Sequence, residues 1–176
     1  MNWNRVAIVG IAVSALIAGV ALYYLQVYAY YMPVAAEDVR VELTSVSTGE
    51  AEPIIYDSFD AIDSDSSPIR YRACFTTVLS QAMLTETFVI VDDAEPRVAP
   101  SWFDCFDAEQ IGADLKSGTA IAFLGTENIH YGIDRIVAVY PDGRAYAWHQ
   151  INACGEVVFD GNPAPDTCPP VPESQN

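Results

Sequence analysis

Between Arg5 and Glu37 the chain carries no charged side chain at all. Within that stretch, residues 6–25 are Val, Ile, Ala, Leu, Gly and Tyr, with Ser14 as the only aliphatic hydroxyl. As an α-helix, twenty residues cover roughly 30 Å, the thickness of a bilayer's hydrocarbon core. A helix also satisfies its own backbone polar groups, which lipid cannot do. Trp3 lies at one end of the run and Tyr23, Tyr24, Tyr28, Tyr30 and Tyr31 at the other, the placement of interfacial aromatic belts. The pattern predicts one transmembrane helix, with the lipid bilayer as its first partner and residues 1–32 as a signal anchor. Pro33 disfavours helical geometry at Met32, so the helix should end near Tyr31. A cleaved signal peptide is the rival, because residues 34–36 satisfy a small-residue cleavage rule. Against it, the apolar run exceeds the roughly 7–15 residues of a signal core and only one basic residue precedes it. Arg5 and the terminal amine favour the cytoplasmic side, and Glu37 and Asp38 open the far side, giving a single-pass inner-membrane protein with its C-terminal domain in the periplasm.

All 24 acidic residues therefore lie beyond the helix, where seven basic ones leave a formal charge of −17. Nucleic-acid binding is excluded, since a phosphate backbone requires an excess of Lys and Arg. A length of 176 residues suits one domain with an appendage. The four cysteines, Cys74, Cys105, Cys154 and Cys168, also all follow the helix, with no CxxC spacing. An even number in a compact domain predicts two disulfides and an oxidising compartment, in agreement with the charge-based orientation. Three pairings are open. Cys74–Cys105 with Cys154–Cys168 is preferred, because the second would staple a Pro-rich tail through a short loop.

After a linker over residues 33–38, alternation of apolar and charged residues marks a strand at 39–43. Residues 53–56 form a weaker strand candidate, and 57–68, rich in Asp and Ser, read as an exposed loop. Further strands are expected at 69–77, 87–91, 119–124, 133–140 and 144–152, with a tight turn at Pro141-Asp142-Gly143. Residues 78–84 are ambiguous between helix and strand, and 157–159 suggest an edge strand. The clearest helix begins at Asp107, with Gln110 as the third member of a capping box and Gly118 as its stop; Ile111 and Leu115 fall on its buried face. From residue 162 five prolines prevent regular pairing. The expected architecture is α+β: a sheet-dominated, disulfide-stapled domain over 39–161 and a Pro-rich tail over 162–176.

Candidate chemistry is sparse. In the membrane segment Ala12, Ala15 and Gly19 share a face, and small residues spaced in this way let helix backbones approach closely; Tyr24, Tyr28 and Tyr31 share another. Four aspartates between residues 57 and 65 invite a calcium reading, but an EF-hand starting at Asp63 fails, with Pro68 at the required Gly and Cys74 at the required Glu. His130, and His149 beside Trp148, form the one candidate functional surface; neither belongs to a triad or nucleophile elbow. No catalytic residue, cofactor or metal site is expected, and structural histidines hydrogen-bonded in a sheet are the plainer reading.

Trp102-Phe103-Asp104-Cys105-Phe106-Asp107 through Ile111-Gly112-Ala113-Asp114-Leu115, Tyr131-Gly132-Ile133-Asp134-Arg135, and Asp142-Gly143-Arg144 through Trp148-His149-Gln150-Ile151-Asn152 resemble a family of small single-pass proteobacterial envelope proteins of unknown function. The anchor end, Tyr23-Tyr24-Leu25-Gln26-Val27-Tyr28, is similar as well. Some members carry a histidine-kinase label, which this sequence contradicts, because no ATP-binding Gly-rich box follows. The resemblance implies no catalytic residues. Taken together, these features lead to the expectation of an accessory or interaction domain that partners another inner-membrane or periplasmic protein, or self-associates through its anchor. A tethered hydrolase, thiol redox protein or ligand sensor is the alternative.

Overall fold

The computed structural model describes residues 3–172 and separates into two compact units, residues 1–32 and 33–176. In the first unit, helix α1 (Trp3–Tyr24) continues into a π-helical segment, Leu25–Ala29. Together they form 27 residues long and apolar enough to cross a membrane. No residue of α1 is buried by the protein, so the whole apolar surface requires another apolar medium. Ser14 donates its hydroxyl to Ile11 O at 3.0 Å, which satisfies within the helix the one aliphatic hydroxyl of the apolar run. The helical run ends at Ala29, two residues short of the expected Tyr31. Tyr24 and Tyr28 stack with centroids 5.9 Å apart, on one face as the spacing requires.

The second unit is an α+β domain. Its strands are β1 (Glu42–Thr44), β2 (Ala51–Pro53), β3 (Asp57–Asp63), β4 (Arg72–Thr76), β5 (Ile121–Leu124), β6 (Ile133–Val139) and β7 (Arg144–Ile151). The first two form a hairpin. The others make an antiparallel sheet in the order β3-β4-β7-β6-β5. Outside β3, Val34 N–H donates to Ala61 O at 2.8 Å. The β6–β7 turn forms where Pro-Asp-Gly places it, with Gly143 at φ +86°, a conformation that costs Gly little and other residues more.

Side chains alternate across this sheet and build two layers. One face presents Ala61, Tyr71, Ala73, Phe75, Val137, Val139 and Ala147 to Leu43, Leu84 and Phe88, which come from the hairpin and from α2 (Gln81–Thr87) and its exit. The opposite face carries Tyr146 and Trp148 against Phe106, at centroid separations of 5.9 and 6.3 Å. Helix α3 (Ala108–Ser117) adds buried Ile111. The Asp107 carboxylate caps α3 by accepting from Gln110 N–H at 3.1 Å, but the reciprocal half of the capping box is absent: the Gln110 amide donates instead to Asp114 Oδ1 at 3.0 Å.

Several sequence expectations require correction: residues 87–91, expected as a strand, begin with the last residue of α2 and make only the isolated bridges Ser45–Phe88 and Ile90–Phe123. Residues 57–63 are strand β3 rather than loop; Asp and Ser suit strands poorly, yet Phe59 and Ala61 pack on the core while intervening polar residues face water. The second hairpin strand lies at Ala51–Pro53 instead of 53–56, because its pairing with β1 is set by the turn around Gly49, whose φ is +71°. Residues 157–159 close a helix, α4 (Ala153–Phe159), capped by the Asn152 side chain, which accepts from Cys154 and Gly155 N–H. A Cβ on Gly155 would run into the Gly132 carbonyl oxygen, so this helix needs glycine to reach the sheet. Both expected disulfides are present, Cys74–Cys105 and Cys154–Cys168. The second ties α4 to the tail, where Pro169 O also accepts from Tyr131 OH at 3.1 Å. Residues 1–2 and 173–176 of the expected anchor and tail lie outside the described residues.

Candidate functional site

Strand register brings side chains from five strand positions into one row at the end of the core-facing layer. Ile62 pairs with Arg72 and Arg72 with Trp148, so one step further Asp63, Tyr71 and His149 stand side by side. His149 pairs in turn with Arg135, and Arg135 O accepts from Gly125 N–H at 2.7 Å. The row thus reads Asp63, Tyr71, His149, Arg135, Gly125. None of this is visible in sequence spacing, since the members come from 63 to 149 and meet only through the pairing of strands.

Within the row, every polar atom of His149 is committed. Arg135 Nε–H donates to His149 Nε2 at 3.1 Å, so that nitrogen must be the unprotonated one. Nδ1–H then donates to Pro68 O at 2.6 Å, and the Asp/Ser turn closes over the ring. Burial, and then the neighbouring Arg135 charge, push the His149 pKa down to about 3, so the imidazole is neutral. Tyr71 stacks on it at 4.8 Å between centroids, and on its own face Tyr71 carries the Arg135 guanidinium at 4.1 Å. Desolvation drives the Tyr71 pKa up to about 12. Asp63 is half-buried and its pKa is raised by desolvation, an effect opposed by Ser64 N–H, Arg135 and His130.

Of the three residues expected at a functional surface, only His130 is exposed. Trp148 and His149 are 0% and 1% exposed, so both belong to the interior. The histidine rings do meet, edge to face, 5.9 Å apart. Both ring nitrogens of His149 are thus occupied within the sheet, by Arg135 and Pro68. Arg135, Tyr71 and Asp63 were not singled out from the sequence, where a lone Arg or Tyr in a strand has no local signature.

A second feature lies on the opposite face at the same end of the sheet. A surface groove of about 640 Å³ has carboxylates at Asp92, Asp93, Glu95, Glu127, Asp134 and Glu156, against one base, Arg97. Its floor includes Leu124, Ile136 and Ile151. Gln150 holds the 92–95 wall in place, donating to Asp93 O at 3.0 Å and accepting from Glu95 N–H at 2.7 Å. The other wall is fixed by a polar network: Asp134 Oδ1 accepts from Asn128 N–H and the Asn152 amide, and Asn128 Oδ1 accepts from Gly132 N–H and the same amide. Among the described residues no group of three or more His, Cys, Asp or Glu side chains is arranged to hold a metal ion. The membrane-segment residues Ala12, Ala15 and Gly19 lie exposed along α1, and nothing in the structure packs on Gly19.

No curated protein and no solved structure matches the chain. Residues 41–169, which include both disulfides, the row and the whole groove lining, match the model of a family of unknown function, DUF6446. The chain therefore belongs to the DUF6446 family.

Proposed function

We propose that this is a bitopic inner-membrane protein, N-terminus cytoplasmic, whose periplasmic domain is an accessory module that docks a basic segment of a neighbouring membrane or periplasmic protein. The observation that most supports this reading is the groove on the sheet end: six carboxylates and one arginine around an apolar floor. Such a surface attracts cations over distance and buries aliphatic stems on contact, which is how Lys- and Arg-bearing segments are recognised. The uncovered apolar helix and the two disulfides support tethering and export. Self-association through the face bearing Ala12, Ala15 and Gly19 would add a second contact within the bilayer.

Photo-crosslinking from Asp93 and Glu127 positions in intact cells, followed by mass spectrometry, tests the docking. A discrete partner should be captured, and the combined variant Asp92→Lys, Asp93→Lys, Glu127→Lys should lose it while keeping its melting temperature. Purification in gentle detergent at native expression that yields the chain alone, with no crosslinked species, would overturn the proposal. A reporter fused after residue 172 should be active only when it is exported.

A further inference from the structure

We propose that Arg135 is the receptor for the carboxylate group of an anionic ligand, held open by Tyr71 and His149 at the end of the core-facing layer. Three observations lead there. Arg135 is half-buried and its guanidinium is held on two sides: its central carbon lies over the Tyr71 ring, 4.1 Å from the centroid, and its Nε–H is committed to His149 Nε2 at 3.1 Å. Its remaining donors, on Nη1 and Nη2, meet no acceptor among the described residues, and no carboxylate there lies within 4 Å of it. Neither nitrogen is sealed in the interior. The guanidinium thus keeps its outer donors without a hydrogen-bond partner among the described residues, and Asp63, the carboxylate of the same row, acts on it through space and not by direct contact.

The neighbours keep it so. Pro68 O takes the His149 Nδ1 proton and thereby turns the Nε2 lone pair to Arg135, which makes His149 a positioning residue. Gly125 stands opposite Arg135; a Cβ there would come within 2.8 Å of Arg135 O and 3.2 Å of Arg135 Cγ, so glycine first allows the backbones to meet and also leaves the stem its path. A planar guanidinium with its two outer amino groups free matches the two oxygens of a carboxylate, and immobilisation in advance reduces the entropy lost on binding. The acidity of the domain selects for low charge: a formal −17 and half-buried Asp63 in the same row disfavour a dianion such as phosphate. Exposed His130 stands at the rim, edge to face with His149, as an additional donor. The site is on the opposite sheet face from the acidic groove and does not depend on it.

The test is a titration of the full-length chain in detergent micelles, following the Arg135 side-chain Nε–H and Nη–H resonances. Sodium propionate and a short peptide with a free C-terminus are the two carboxylate probes, with sodium chloride, inorganic phosphate and the C-terminally amidated peptide as comparisons. Saturable shifts of Arg135 with propionate or the free-carboxylate peptide are expected, and the tighter of the two identifies a small acid or a chain terminus as the source. Arg135→Gln should weaken that binding about tenfold or more, the loss expected for a charged, two-pronged hydrogen bond. The proposal fails if neither carboxylate moves the Arg135 resonances saturably, if chloride or the amidated peptide does so equally, or if folded R135Q binds as the parent does. Should R135Q not fold, the titration of the parent protein alone decides.

Discussion

At the residue scale, His149 makes the acid stability of the domain predictable. Its folded-state pKa, about 3, lies below the ordinary value near 6.5. The unfolded chain therefore takes up a proton as pH falls below about 6.5 while the folded one does not, so this group's contribution is complete above that pH and is lost towards pH 3. Each unit in that window removes up to about 1.4 kcal/mol. Asp63 acts in the opposite sense: its raised pKa means that the folded state binds its proton first as pH falls. Between pH 7 and 5 the histidine dominates, and the melting temperature should fall; His149→Gln, which keeps an acceptor for Arg135, should flatten that slope. Two glycines give a contrast of sign. Gly155→Ala forces a Cβ into the Gly132 backbone and should cost more than about 2 kcal/mol. Gly112→Ala meets only Pro96 at ordinary contact distance, 3.8 Å, inside α3, and should stabilise by about 0.5–1 kcal/mol. Denaturant midpoints of the two variants check both signs.

Individual elements differ in how far their own residues specify them. Helix α3 carries its cap at Asp107 and its stop at Gly118, where φ is +75°, and its limits were legible in the sequence for that reason. Asp107→Ala should cost about 1 kcal/mol, as loss of an N-cap does, read from chemical denaturation. The β6–β7 hairpin was equally legible, since Pro-Asp-Gly dictates its turn. Strand β3 was not, because its Asp and Ser residues signal a loop and its strand state rests on Phe59 and Ala61 meeting a core supplied by distant segments. Residues 157–159, the end of helix α4, read as a strand for a related reason: Val157 and Val158 favour strands, and what overrides them is the Asn152 cap and the close approach of Gly155 to Gly132. The Cys154–Cys168 bridge closes a loop of sequence separation 14 onto this helix. Replacing both cysteines by serine should lower stability by about 3 kcal/mol and open the tail to proteolysis, measurable by limited digestion.

For the whole molecule, the charge distribution and the apolar helix divide the chain into a neutral rod and an acidic domain. The four cysteines all lie on the acidic side, and all four are bridged. The sequence by itself determined that division, the pairing of the four cysteines within the domain, the limits of helix α3 and the tight turn at Pro141-Asp142-Gly143. Each follows from residues close together in the chain. Only the tertiary structure decided which face each strand buries, that Trp148 and His149 are interior, and that Asp63, Tyr71, His149 and Arg135 form one row while six carboxylates gather on the opposite face. The physical reason is register. Side chains alternate along every strand, so the pairing of strands far apart in sequence, and not their individual patterns, selects which groups become neighbours.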